Sequence, residues 1–194
     1  MFNARSTEYM NRICVYCGSR TSAQPMFGES ADQLGYEIAK RNWGVVFGGG
    51  KIGMMGRVAE AALAQNGEVI GIIPTALKVK EVAHTGLSEL IETPDMHTRK
   101  AKMEVLSHAF VILPGGFGTL DEFFEILTWR QLGFHNKPII VVDIDGYFSG
   151  LEQYIQRAVD EDYVRESNLK LFEWVSTVEE AMTFLDGYFQ KNTE

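Results

Sequence analysis

Three clusters of residues in this chain combine types and spacings that can do chemistry. The first is Pro114-Gly115-Gly116-Phe117-Gly118-Thr119-Leu120-Asp121-Glu122. Glycines set this closely let backbone N–H groups converge on an anion. The Thr119 hydroxyl can cap a helix or donate to that anion, and the Glu122 carboxylate can stabilise a cation or move a proton. Thr119-x-x-Glu122 is equally a capping box, a structural use of the same residues. The second cluster is Met96-His97-Thr98-Arg99-Lys100-Ala101-Lys102-Met103, cationic in an acidic chain. It falls at a predicted helix start, where the helix dipole disfavours positive charge. A solvated charged face explains it structurally; a local rule broken without visible gain points to function. The third is Gly48-Gly49-Gly50-Lys51-Ile52-Gly53, a G-x-G-x-x-G pattern between a predicted strand and a helix. Such a loop brings backbone and a helix N-terminus up to a phosphate. A dinucleotide site also needs an acid at the end of the following strand, and that strand ends Ile72-Ile73-Pro74. Tight turns and close packing are the structural alternative.

Other candidates read as structural. Neither glycine loop continues into the Gly-Lys-Ser/Thr of a P-loop. Cys14 and Cys17 form C-x-x-C inside a strand rather than at a helix start, as small buried apolar residues would. His84, His97, His108 and His135 lack metal-ligand spacing, and Asp143 and Asp145 read as a polar strand-end loop. No metal is expected.

The elements that must position these residues alternate strand and helix. Strands are predicted at 13–17, 45–47, 69–73, near Leu90-Ile91, at 109–113 and 138–142, with an edge strand near 173–175. Helices are predicted at 27–42, 59–65, 97–107, 120–132, 148–161 and 177–189. Residues 75–95 give the weakest pattern. Strand–helix alternation predicts βαβ units and an open, mostly parallel sheet, and the wholly apolar run after Pro138 suits a central parallel strand. In such sheets ligands sit beyond the carboxyl ends of the strands. Gly18-Ser19, Gly48-Gly49-Gly50 and Gly115-Gly116 all follow strands, so their common end is the predicted site.

The 194 residues suit one domain, predicted over 12–190 behind a flexible segment 1–11. With 45% hydrophobic and 23% charged residues the chain is ordinary globular material. Its formal net charge of −8 disfavours a nucleic-acid polymer as partner. Two cysteines, a polar N-terminus and no apolar run near the ~20 residues of a membrane span make the cytoplasm the expected compartment.

Together, the glycine-rich loop, Met-His-x-Arg-Lys at 96–100 and Pro-Gly-Gly-x-Gly-Thr-x-x-Glu at 114–122 resemble the LOG (Lonely guy) family of cytokinin riboside 5′-monophosphate phosphoribohydrolases. Members are sometimes labelled lysine decarboxylases. The resemblance covers about residues 11–190 and includes Thr128-Trp129-x-Gln131-Leu132-Gly133 and Lys137-Pro138. It implies a Rossmann-like, three-layer αβα fold with helices on both faces of the sheet. It implies cleavage of a nucleoside 5′-monophosphate into free base and ribose 5-phosphate, with Arg99 and Glu122 as the catalytic pair. Implied nucleotide contacts are Gly18, Ser19, Gly49, Gly50, Glu81, Met96, Lys100, Gly115, Gly116, Gly118, Thr119 and Thr128, beside Arg99 and Glu122. A homodimer is implied, with the helix of Phe123, Phe124 and Leu127 as one interface, although its spacing equally suits core. The chain departs from the family at Phe117, usually Tyr, at Asp121, often Glu, and at Arg20, where a second serine is common.

The chemistry fits these residues. N-glycosidic cleavage passes through an oxocarbenium-like ribose, which a carboxylate stabilises, while a guanidinium can anchor the departing base. No cofactor is expected: lysine decarboxylation would call for a pyridoxal phosphate Schiff base, and no lysine context suggests one. Two other readings stand beside the hydrolase. One is a non-catalytic nucleotide or molybdenum-cofactor carrier on the same fold, which needs no carboxylate at the sugar. The other is an NAD-dependent oxidoreductase.

Overall fold

The computed structural model describes residues 11–22, 24–78 and 83–191. Of the expected flexible segment 1–11, only Asn11 lies within the described residues, and its carbonyl accepts from Gly44 N at 2.8 Å.

Seven strands form one sheet in which every pairing is parallel. They are β1 (Arg12–Tyr16), β2 (Gly44–Phe47), β3 (Val69–Pro74), β4 (Glu89–Thr93), β5 (Ala109–Ile112), β6 (Ile139–Val142) and β7 (Glu173–Val175), in the order β4-β3-β2-β1-β5-β6-β7. Among the described residues the six α-helices are α1 (Pro25–Lys40), α2 (Gly53–Ala64), α3 (Met96–Leu106), α4 (Phe117–Gln131), α5 (Ser149–Asp160) and α6 (Val178–Lys191). The sheet is laid down outward from β1 in one direction and then, from β5, in the other. The β1/β5 junction is therefore the topological switch point, where a crevice opens above the strand ends.

Strand alternation assigns side chains to two cores. Ile13 and Val15 face α1, α2 and α6 together with Val45 and Phe47. Cys14 and Tyr16 face α3, α4 and α5 together with Val46, Ile72 and Phe110. This is the three-layer αβα arrangement, and the central strands read as unbroken apolar runs because both faces are covered. Phe123 belongs to the second core and is fully buried, with Phe124 and Leu127 packed partly against it. Of the three residues suggested as an interface, Phe123 is therefore core, while Phe124 and Leu127 are half-buried.

Two helices begin earlier than periodicity predicts. The α2 helix starts at Gly53 rather than Ala59, and α4 at Phe117 rather than Leu120. Glycine has the weakest propensity after proline, which hid both first turns. At Gly56 the reason is packing: a Cβ there would overlap the Lys51 carbonyl.

Candidate active site

Three loops meet over the switch point, and backbone hydrogen bonds fix them to one another. Gly18 N donates to Pro114 O at 3.0 Å, and Met54 N donates to Gly18 O at 3.0 Å. Gly53 takes a left-handed φ of +70°, and a Cβ there would lie 2.5 Å from Arg20 N. Any side chain at Gly53 would push the loop after β1 off the loop before α2. Gly115 is equally constrained, since a Cβ there would overlap Thr119 Oγ1 and approach Gly18 N at 2.9 Å. Tyr147 closes the side by donating its hydroxyl to Gly115 O at 2.7 Å and packing edge-on against Phe27.

These loops enclose a cavity of about 580 Å³, a size that suits a small organic ligand. Of the expected contacts, Gly18, Ser19, Met96, Arg99, Gly115, Gly116, Gly118, Thr119 and Glu122 line it. A Cβ at Gly116 or Gly118 would meet nothing within 4 Å. Gly116 is the N-cap of α4, so the first N–H groups of that helix open toward this space. Phe117, at the same rim, is 93% exposed.

Arg99 and Glu122 meet inside the cavity wall. Arg99 Nη1 lies 3.0 Å from Glu122 Oε1, with side chains 6% and 10% exposed. Arg99 Nε donates to the Ile72 carbonyl at 3.0 Å, fixing the guanidinium plane against the end of β3. A Cβ at Gly48 would overlap Arg99 Nη2, so the glycine there makes room for the cation. Asp95 caps α3, accepting from Thr98 N at 2.7 Å, and offsets the adverse dipole at the cationic first turn. The capping-box reading of Thr119-x-x-Glu122 fails. Thr119 lies within the first turn of α4, no side chain caps Gly116, and Glu122 reaches Arg99 instead.

Below the pair the buried side chains are Cys14, Tyr16 and Cys17. Burial pushes the Cys14 thiol up to about 12 and raises Cys17 further. Burial likewise raises Tyr16 well above its ordinary value. All three stay protonated at neutral pH, so neither cysteine is a ready nucleophile or metal ligand. Among the described residues no group of His, Cys, Asp or Glu is arranged to hold a metal.

Several expected contacts lie elsewhere. Gly49 and Gly50 do not line the cavity; Gly49, at φ +78°, accepts His84 N at 2.9 Å, and Gly50 bridges Ala83. Thr128 donates its hydroxyl back to Phe124 O at 2.7 Å on the exposed side of α4. Lys100 is 8% exposed and turned away from the cavity, 3.1 Å from both Asp121 Oδ2 and Glu125 Oε1. Burial opposes its charge, but bonds to the two carboxylates outweigh this and raise its pKa. Glu81 lies outside the described residues. Sequence reading flagged Arg20 only as a departure from the family and missed Thr21, Ser22, Phe27, Met54, Met55 and Tyr147 in the lining. The Arg20-Thr21-Ser22 run was open to discovery as a polar stretch directly after a strand-end glycine.

Comparison with known proteins places the chain in a family. A family model described as "Possible lysine decarboxylase" matches residues 55–185. The chain is 39% identical over 177 residues to cytokinin riboside 5′-monophosphate phosphoribohydrolase LOG5 of Arabidopsis thaliana, covering 91% of this chain and 78% of that protein. It is 44% identical over 161 residues to probable cytokinin riboside 5′-monophosphate phosphoribohydrolase LOGL9 of Oryza sativa subsp. japonica, covering 83% and 71%. Solved structures share the fold. The molybdenum cofactor binding protein from Rippkaea orientalis superposes with a TM-score of 0.71 at 21% identity, covering 93% of this chain and 98% of that one. The Moco carrier protein from Chlamydomonas reinhardtii gives 0.70 at 19%, covering 94% and 99%. Identities that low speak for architecture alone, whereas the sequence relatives are close over nearly the whole chain. By its matched family model and these relatives, the chain belongs to the LOG family of cytokinin riboside 5′-monophosphate phosphoribohydrolases.

Proposed function

We propose that this protein hydrolyses the N-glycosidic bond of a purine nucleoside 5′-monophosphate, either a cytokinin riboside monophosphate or AMP, releasing free base and ribose 5-phosphate. The observation that carries this reading is the buried Arg99–Glu122 pair in the wall of a cavity capped by the glycine-rich start of α4. A carrier needs no carboxylate where the sugar would lie, which favours hydrolysis over the carrier alternative. The pyridoxal chemistry of a lysine decarboxylase fits poorly. A Schiff base requires a free amine, and the buried Lys100 is held as an ammonium ion by two carboxylates.

In this mechanism the N–H groups at Gly116 and Gly118, with the Thr119 hydroxyl, hold the 5′-phosphate. Arg20 is the one cation of the cavity lining outside an ion pair among the described residues, and it supplies countercharge to the phosphate. Glu122 faces the anomeric carbon, stabilises the cationic ribose and directs water to it; Arg99 steadies the departing base. The water oxygen bonds to C1′ as the C1′–N bond breaks, and the proton that water loses to the Glu122 carboxylate passes on to the departing base nitrogen. Binding energy from the non-reacting phosphate orients the sugar.

The protein is further proposed to act in the cytoplasm as a homodimer. No helix among the described residues is long and apolar enough to cross a membrane. Exposed Val105, Leu132 and Phe134 offer apolar surface near the C-terminal ends of α3 and α4.

The test is chromatographic measurement of base release from AMP and N6-isopentenyl-AMP by wild type, Arg99→Ala and Glu122→Ala. Release by wild type alone supports the reading, and the ratio of the two substrates sets specificity. No release from either nucleotide by wild type defeats it for these substrates.

A further inference from the structure

We infer that Lys100 is a positioning residue rather than a nucleotide ligand, and that it sets the geometry of the Arg99–Glu122 pair through a clamp between α3 and α4. This rests on the hydrolase reading only for its kinetic readout.

Arg99 and Lys100 are consecutive on α3, and Asp121, Glu122 and Glu125 lie within two turns of α4. Two ion links join the helices side by side. Arg99 reaches Glu122 at 3.0 Å on the cavity side, and Lys100 reaches Asp121 and Glu125 at 3.1 Å each behind it. Asp121 and Glu125 are four residues apart, on one face of the helix, so a single ammonium bridges them. Lys100 is nearly buried and absent from the cavity lining. To touch a phosphate it would have to abandon two carboxylates and leave their charges close together. Glu125 Oε2 is already a buried atom without a hydrogen-bond partner, so that loss would fall on an under-satisfied group. Of the two cations facing three carboxylates here, only Arg99 is placed for chemistry. Lys100 holds α4 at the rotation that turns Glu122 toward Arg99.

Kinetics separate the roles. Lys100→Met should lower kcat about ten-fold or more while leaving KM for AMP and the Kd for ribose 5-phosphate within about two-fold. Lys100→Arg, which can span the same two carboxylates, should recover most of kcat. A rise in KM and in the ribose 5-phosphate Kd with kcat preserved would make Lys100 a direct ligand and overturn the inference, as would unchanged kcat and KM. Should Lys100→Met fail to fold, Glu125→Gln weakens the clamp from α4, at a side chain 21% exposed. It should lower kcat without raising KM, and unaltered kcat there overturns the clamp.

An activity-independent arm keeps this distinct from the hydrolase reading. The Arg99–Glu122 coupling, measured by melting Arg99→Met, Glu122→Gln and the double variant, should shrink in a Glu125→Gln background. Unchanged coupling overturns the positioning role even if wild type releases no base; a smaller coupling supports it in the same circumstance.

Discussion

Replacing Glu122 by Gln removes one charge from a buried pair but keeps its shape and an oxygen toward Arg99. Hydrolysis should fall by at least about 100-fold, on the scale of a lost acid–base or charge-stabilising group, while ribose 5-phosphate still binds. Full hydrolysis by Glu122→Gln would remove the assigned role. Arg99→Ala differs, because it leaves a carboxylate only 10% exposed without its guanidinium. Stability should drop by about 3–5 kcal/mol, the usual cost of breaking a buried pair from one side; urea denaturation beside Glu122→Gln measures the difference. Arg20 sits in solvent, so its contribution is screened. Arg20→Ser, which installs the residue common in the family, should raise KM for AMP roughly three- to ten-fold at low salt and lose that effect as salt rises. Indifference of KM to this change at low salt would take Arg20 out of the phosphate site.

At the scale of elements, the glycines of the strand-end loops are not interchangeable. Gly115→Ala would drive a methyl into Thr119 and the Gly18 backbone, and Gly48→Ala into the Arg99 guanidinium. Both should cost activity, the first also stability. Alanine at Gly116 or Gly118 meets open space, so melting should hold while nucleotide binding weakens. Equal melting losses at 115 and 116 would contradict this packing. Two histidines secure other junctions in their neutral form. His108 Nδ1 accepts from Arg12 N at 2.9 Å at the start of β1. His135 donates through Nε2 to Ile126 O at 2.9 Å and accepts from Lys137 N at 3.2 Å through Nδ1. Burial lowers both pKa values below the ordinary 6.5. The unfolded chain therefore binds more protons just below that value, so stability is full above about 6.5 and declines as pH falls through the folded pKa values. Melting temperature should decline between pH 7 and 5. The double variant His108→Asn/His135→Asn, whose side-chain oxygens can replace the Nδ1 acceptors, should flatten that slope.

Over the whole molecule, the strands were the legible part. Runs such as Ile139–Val142 are buried on both faces, so the pattern of a mostly parallel sheet stood in plain sequence. Sequence pattern could not reveal that strand order reverses between β1 and β5, because that order is set by long-range pairing. Its consequence for the site is that residues from 17–22, 96–99 and 114–122 converge on one crevice. Chemistry-bearing types were legible at Arg99 and Glu122. Roles set by where a side chain turns were not: Lys100 and Thr128 follow the local pattern yet point away from the cavity, and Gly48 matters for the cation it admits. Dimerisation also belongs to this scale. Light scattering should give twice the 21.8 kDa chain mass, and a clean monomer would remove the dimer from the proposal.

The all-parallel sheet has one more consequence, for handling the protein. The described chain enters at Asn11, just ahead of β1, and leaves at Lys191 along a helix returning from β7. Trp43, just ahead of β2, meets Phe189 with ring centroids 4.9 Å apart, and Arg41 pairs with Asp186. Both ends of the described chain thus lie together at the pole opposite the crevice. A surface tether or fluorescent label attached at Arg12 or Lys191 would present the cavity outward.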